Sequence, residues 1–554
     1  MASAKSNHRV WKVPRNDGEF LIFPSIEECS NALKVTRHLL AGCSVWLGEK
    51  SLSQLAEEAR YQLWEAACRW TRRYGDWPKN SFDPERPIVL TGHQPELFHP
   101  GVWLKYFVAG EIARSGGAVV VNLLIDNDVL KSVSVPVLSG DSDSPILIQI
   151  PFDRGPIGIP FELREICDPL LFESFATRAM EALRPWVRDP LLDRYWALVK
   201  EGLQRENRLG YILAEARNRL EQSWNLQVLD VPMTCVSDLP GHLWFVAFLM
   251  LEHQHLWAAY NASLQEFRET YRVRNRAQPV PDLSKHGNWW EFPYWVWTKE
   301  NPRRRRLFVS REGDRLYLRD EEGWEVEVSL GKRPGLGKLV EFLTALRSRG
   351  IRIRPRALTT TLFARLALGD LFVHGVGAAR YDEVTNRLVM RLFQVTPPPM
   401  AVVTGTLWLA EPRASDGVKQ LRELKQTLRD VKYHPEKFFV SAVAKFQRVC
   451  HESPAGDHDV ARFVELKRHW ITTPKTPENA RVRHLAIDEC NNRLREHLND
   501  LEQNLLAQLN HLQRVLKQDN ILRFREFPFC FYSGEKLRRF LAQATCQIGT
   551  LGVS

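Results

Sequence analysis

Ile88-Val-Leu-Thr-Gly-His-Gln-Pro-Glu-Leu-Phe98 and Val119-Val-Val-Asn-Leu-Leu-Ile-Asp-Asn-Asp128 decide the fold of this chain. Each is an apolar, β-branched run that stops abruptly in polar, chemically capable residues, the pattern of a buried strand leaving a sheet. Between them, over Gly101 to Ser115, Trp103, Phe107, Val108 and Ile112 recur at helical spacing. Strand, helix and strand in that order make a βαβ unit, and a βαβ unit makes a parallel sheet. Ligands of such sheets bind beyond the carboxyl ends of the strands. Thr91, His93, Gln94, Asp126 and Asp128 all fall at those ends.

Working outward, residues 1–83 read as an N-terminal helical segment, with Ala56 to Trp70 carrying an apolar face and Pro78 ending the pattern. The first part of the sheet core spans 84–155 and includes Val133–Val137 and Ile146–Ile150 as further short strands. An insertion follows over 156–335. Its helices are Phe172–Leu183, Leu191–Leu203 and Leu243–Phe267, and a β-meander of Arg306–Ser310, Arg315–Arg319 and Glu325–Ser329 closes it. The second part of the core, 336–412, has a helix over Leu339–Arg347, an extended stretch over Ile351–Leu358 and a strand over Leu371–Gly377. A helix over Tyr381–Phe393 and a strand over Met400–Gly405 complete it.

Region 413–525 is helical. From Ile487, the residues Asn491, Leu494, Leu498, Leu501, Leu505, Leu509, Leu512 and Leu516 step by three or four, as an apolar coiled-coil seam does. Its partner is either within the chain, with Val418–Val431 as the candidate, or a second subunit. Residues 526–554 form a C-terminal segment. The fold class expected is α/β: a Rossmann-like parallel-sheet core, inserted helical and β-meander segments, and a C-terminal α-helical coiled coil.

Bulk properties narrow the function. The 554 residues are 44% hydrophobic and 26% charged, an ordinary globular balance. No stretch approaches the roughly 20 apolar residues of a membrane helix, and the N-terminus lacks the apolar core of a secretory signal. A cytoplasmic protein without membrane contact is expected. Nine scattered cysteines with no C-x-x-C pair support neither a disulfide framework nor a zinc ribbon. The charge of +10 is dispersed apart from Arg303–Arg306 and Arg352–Arg356. The first run reads as the solvated start of a hairpin, so nucleic acid is not an expected partner, whereas a small anionic substrate suits the charge.

Three constellations carry chemistry. In Thr91-Gly-His-Gln94, Gly92 permits a sharp turn, His93 can move a proton and Gln94 can orient a ligand. The helix that follows offers free N–H groups. Asp126-Asn-Asp128 places two carboxylates around Asn127, able to hold an amine or act as a base; an Asx-turn would explain the same residues. Phe372-Val-His-Gly-Val-Gly377 repeats the first pattern, with His374 before Gly375 and Gly377 as an anion cradle or as a plain strand-to-helix turn. It is not a full G-x-G-x-x-G. Glu252-His-Gln-His255 is not a zinc motif, because helical histidines at i, i+2 do not share a face. Trp289–Trp295 and the preceding Pro-rich residues read as a pocket wall or the buried underside of the insertion. A phosphate loop with its lysine is missing; Lys105, the nearest candidate, reads as a helix-surface residue.

In this order the motifs resemble those of the bacillithiol biosynthesis cysteine-adding enzymes. Thr91-Gly-His-Gln-Pro-Glu-Leu-Phe98 is similar to the family's T-G-Q-Q-P-G-L-F, and Asp126-Asn-Asp128 to its acidic E-D-H-D turn. Arg354-Pro-Arg-Ala-Leu-Thr-Thr360 and Val373-His-Gly-Val-Gly377 match the place of its R-P-x-x-Q-D and G-G-P-x-E segments. The chain departs at His93, at Glu96, at the missing histidine of the acidic turn and at His374. The resemblance implies a ligase-like or transferase-like enzyme that joins an amino acid, cysteine in the family, to the amine of a small anionic acceptor (glucosaminyl-malate in the family). It also implies a homodimer formed through the coiled coil. The departures imply a diverged substrate. In this reading His93, Asp126 and Asp128 are catalytic, and Thr91, Gly92, Gln94, Asn127, His374, Gly375 and Gly377 bind substrate. No metal site is expected, and ATP is a candidate co-substrate. The competing reading is a non-catalytic dimeric small-molecule binder or scaffold that retains the cleft.

Overall fold

A computed structural model describes residues 11–75, 83–331, 335–413, 416–439 and 455–545. Pro78, Cys450 and Cys546 lie outside the described residues, as does the end of the segment 526–554. The chain divides into two compact units. One comprises Met1–Gly140, Leu147–Leu409 and Arg525–Ser554; the other comprises Asp141–Ile146 and Ala410–Phe524.

The larger unit begins with β1 (Phe20–Phe23), α1 (Ile26–Ala41), the pair β2 (Trp46–Leu47) and β3 (Lys50–Ser51), and α2 (Leu52–Thr71). The βαβ unit is β4 (Ile88–His93), α3 (Pro100–Gly116) and β5 (Val119–Leu124), followed by the paired β6 (Ser134–Gly140) and β7 (Pro145–Pro151). Helices α4 (Pro169–Glu173), α5 (Phe175–Leu183), α6 (Leu192–Leu203) and α7 (Leu209–Gln222) lead to β8 (Leu229–Pro232), α8 (Met233–Ser237), α9 (Pro240–Leu251) and α10 (His253–Tyr271). Next come β9 (Lys285–His286), β10 (Trp289–Thr298), β11 (Arg305–Glu312), β12 (Arg315–Arg319), β13 (Glu325–Ser329), α11 (Leu336–Ser348) and β14 (Ile351–Pro355). Then α12 (Ala357–Phe363), β15 (Leu371–His374), α13 (Val376–Phe393) and β16 (Met400–Gly405) complete the sheet elements.

The main sheet has the order β1-β16-β15-β4-β5-β8. All neighbours are parallel except the edge pair, where β1 runs antiparallel to β16. Thr91 pairs with Val373 on one side and Asn122 on the other, so the ends of β15, β4 and β5 are level. The helical expectation for 1–83 is therefore corrected at β1, whose four residues are too few to show a period.

Local chemistry sets where α3 begins and ends. The His99 side chain accepts from the Gly101 amide, Pro100 occupies the first turn, and Gly117 ends the helix at φ 65. A Cβ on Gly101 would lie 2.2 Å from the Gly405 carbonyl oxygen, so only glycine lets α3 approach β16 this closely.

The second sheet is antiparallel, in the order β13-β12-β11-β10-β14, with β9 on β10. The meander strands fall where their alternation predicts. Its inner strand β10 is hidden by Pro293, which breaks the strand pattern but sits where the β11 register shifts between Phe292 and Trp295. A bulge tolerates a residue with no N–H to donate. The extended stretch from Ile351 also pairs here as β14 and not in the main sheet. Buried residues of both sheets, including Leu90, Val121, Leu307 and Leu318, belong to one hydrophobic core.

The smaller unit contains α14 (Gly417–Tyr433), α15 (Ala455–Thr472), α16 (Ala480–Glu496) and α17 (Asn499–Leu522). The leucine series is divided between α16 and α17, because His497 and Leu498 leave the helical run. Val431, Leu498 and Leu505 form a small core with Leu424 and Leu428 of α14. Part of the seam thus packs within the chain, while Leu501 is exposed. In the larger unit, α18 (Gly534–Thr545) packs against α3, and Phe529 before it lies on Trp103 at 4.3 Å. Among the described residues no helix is long and apolar enough to cross a membrane.

Candidate functional site

The carboxyl ends of β4, β5 and β15 open into one cavity of about 700 Å³. Gly92, His93, Gln94, Asn127, Asp128, His374, Gly375 and Gly377 line it. Thr91 and Asp126 do not, although both belong to the same strand ends.

His93 is the last residue of β4. Its Nδ1 lies 3.1 Å from the Gln94 carbonyl oxygen and its ring meets Phe98 edge-on at 5.2 Å. That contact places the proton on Nδ1 and leaves Nε2 as an acceptor. Burial, reinforced by the charge of Lys105, pushes the imidazole down to about 3, so it is neutral near pH 7. Gln94 Nε2 donates to Asp128 Oδ2 at 2.8 Å, while Arg304 Nη1 and the Val129 amide donate to Asp128 Oδ1 at 2.7 and 2.9 Å. The Asp128 carboxylate is therefore held and its charge matched.

Asp126 turns the other way. It is wholly buried, accepting from the Tyr211 hydroxyl at 2.7 Å and the Thr234 amide at 2.9 Å. Burial, with the nearby Glu162 carboxylate adding to it, raises Asp126 to about 6. Glu162 in turn accepts from Trp297 at 2.8 Å and Arg354 at 3.2 Å and from the Thr234 hydroxyl. This network ties β5 to α7, α8, β10 and β14. The Thr91 hydroxyl likewise serves the sheet, donating to the Val373 carbonyl at 3.3 Å. Asn127 bridges to the second sheet, its Nδ2 donating to the Pro355 carbonyl at 2.8 Å.

His374 ends β15 with its ring stacked on Phe372 at 4.2 Å and its Nε2 3.0 Å from Asp382 Oδ2. Burial lowers its pKa against the pull of Asp382. Gly375 then caps α13, which has no side-chain cap and no acidic residue in its first turn. The space over both Gly375 and Gly377 is open.

Four charged residues of the wall are not legible as such in the sequence. Arg304 belongs to the basic run read as a solvated hairpin, yet it reaches Asp128 and lies 5.0 Å over the Trp295 ring. Arg356 covers the same ring at 4.0 Å and pairs with Glu291 at 2.8 Å. Lys105 is not on the helix surface: it is 3% exposed, and its Nζ donates to the Gly92 carbonyl at 3.0 Å. Arg525 arrives from the chain's last segment. The aromatic Trp289–Trp295 stretch was a usable signal, since β10 puts Trp295 into the cavity wall.

Among the described residues no group of three or more His, Cys, Asp or Glu side chains is placed to hold a metal. No protein-family model matches this chain, and no curated protein matches it.

Proposed function

We propose that the chain is an amide-bond-forming enzyme, ligase-like or transferase-like, acting in a Rossmann-like core. It joins an amino acid, cysteine in the family it resembles, to the amine of a small anionic acceptor. The observation that carries this reading is the cavity itself: the three strand ends singled out by their chemistry converge on it, beside the start of α13, which has no side-chain cap. His93 Nε2 is an acceptor for a proton leaving the attacking amine. Asp128, fixed by Gln94 and Arg304, orients that amine, and the first amides of α13 hold an anionic group of the ligand. Joining a carboxylate to an amine removes the elements of water and needs an activated carboxyl, so ATP is the co-substrate to supply: it would take up the carboxylate oxygen, and the amine would displace phosphate or AMP. The helical unit in this reading is a coiled coil that pairs two copies of the chain. The test is mass spectrometry of the full chain incubated with cysteine, amino-sugar acid conjugates and ATP. A product at the summed mass less one water supports the reading, and absence of product with every acceptor rejects it.

Three observations favour the second reading, a binder that has kept the cleft without chemistry. Asp126 is withdrawn into the core network, Asp128 is neutralised by Arg304, and a histidine held at about 3 is a weak base. Ligand binding without turnover would establish it.

A further inference from the structure

Lys105 and Arg525 line the cavity from α3 and from the start of the final segment. Both are cations without an ion-pair partner among the described residues. Lys105 is 3% exposed, spends one N–H on the Gly92 carbonyl and makes no ion pair among the described residues. Arg525 Nη2 reaches only the Thr404 hydroxyl at 3.4 Å and the Gly405 carbonyl at 3.2 Å, and its Nε has no partner. Its chain neighbour Glu526 attracts it without forming an ion pair. Both cationic charges bear on the same neighbour, His99, which caps α3 and also lines the cavity. Buried charges are ordinarily paired, because an unpaired one costs several kcal/mol on the order of its desolvation. Arg304 and Arg356, which line the same cavity, each have a carboxylate.

We propose that Lys105 and Arg525 together seat one oxyanion of the ligand, a carboxylate or a phosphate-like tetrahedral group, whose charge replaces the missing protein carboxylate. The seat rests on the reading of the cavity as the binding site and adds the residues that select an anionic ligand. The groups facing Lys105 are His93, His99 and His374. Burial lowers all three, His93 and His99 to about 3, so neither of those two gains or loses a proton near neutrality. Lys105 itself is pushed down by burial to about 7. An anion restores its charge, so binding takes up a proton above that pH and weakens as the pH rises.

Calorimetric titration of the full chain with sulfate and with succinate tests the seat, since neither probe changes charge between about pH 6.5 and 9. At least one is expected to bind, about tenfold or more weakly at the higher pH. The tighter probe distinguishes a tetrahedral group from a carboxylate. Lys105→Met should abolish both the binding and its pH dependence, and Arg525→Gln should weaken binding at both pH values. If Lys105→Met does not fold, Arg525→Gln decides by the same titration. Failure of both probes to bind, or unchanged affinity in the variants, overturns the proposal. Loss of turnover alone leaves the seat standing. A variant Lys105→Met that forms the amide product at unchanged KM removes the seat and leaves the ligase reading intact.

Discussion

At the residue level, two aspartates two positions apart do different work. Strand alternation would put Asp126 and Asp128 on one face; both lie in the turn after β5, which sends them apart, and sequence alone does not assign which one meets solvent. Asp126→Ala leaves the Tyr211 hydroxyl and the Thr234 amide unpaired in the core, so denaturant unfolding is expected to show a loss of about 1–3 kcal/mol. Its own titration works against folding: a carboxyl raised to about 6 binds its proton more tightly folded than unfolded. Stability from this group is therefore present at low pH and is lost as pH rises toward 6. Asp128→Asn instead frees Arg304 and should lower turnover by about 100-fold with little change in stability. The pH–rate profile should show no limb between about 5 and 7 from His93, whose imidazole is already neutral there. Lys105→Met should raise the melting temperature at pH 6 in the absence of anions, by about 2 °C or more. The sign follows from a lysine lowered to about 7: its buried charge penalises the fold below that pH, and the penalty fades as pH rises toward the unfolded value.

At the level of elements, the βαβ unit was legible because its strands are buried on both faces and its helix is apolar on most sides. β4, α3 and β5 lie where the apolar runs place them. The edge strand β1 and the proline-bearing β10 were not legible, one for its length and the other because Pro293 occupies a bulge. The same limits apply to the site. The strand ends announce themselves by polarity, but Lys105, Arg304, Arg356 and Arg525 reach the cavity through tertiary packing that no spacing records. Glycines separate the roles of the two helices. Gly101→Ala would drive a methyl into the Gly405 carbonyl and is expected to cost about 2 kcal/mol or more in unfolding experiments. Gly377→Ala meets open space on a helix, so it should stabilise by roughly 0.5–1 kcal/mol. Calorimetry should nevertheless show weaker ligand binding, because the methyl enters the cavity where the α13 amides lie.

Across the whole molecule, the two compact units divide the expected labour: the sheets hold the cavity and the helical unit holds the leucine seam. Leu505 is buried on α14, so Leu505→Ala should cost about 2–4 kcal/mol. Leu501 is exposed, and Leu501→Ala should change stability by less than about 0.5 kcal/mol unless a second copy covers it. Sedimentation of that variant beside the parent chain tells whether the exposed part of the seam pairs copies. The chemistry rests on a simpler comparison. Mass spectrometry of products formed from cysteine, an amino-sugar acid conjugate and ATP, by the parent chain and by His93→Ala, addresses it most directly. The expected result is a condensation product at the summed mass less one water, reduced about 100-fold in the variant. A parent chain that binds the acceptor in the cavity and yields no such product would contradict the enzymatic reading and leave a binding protein.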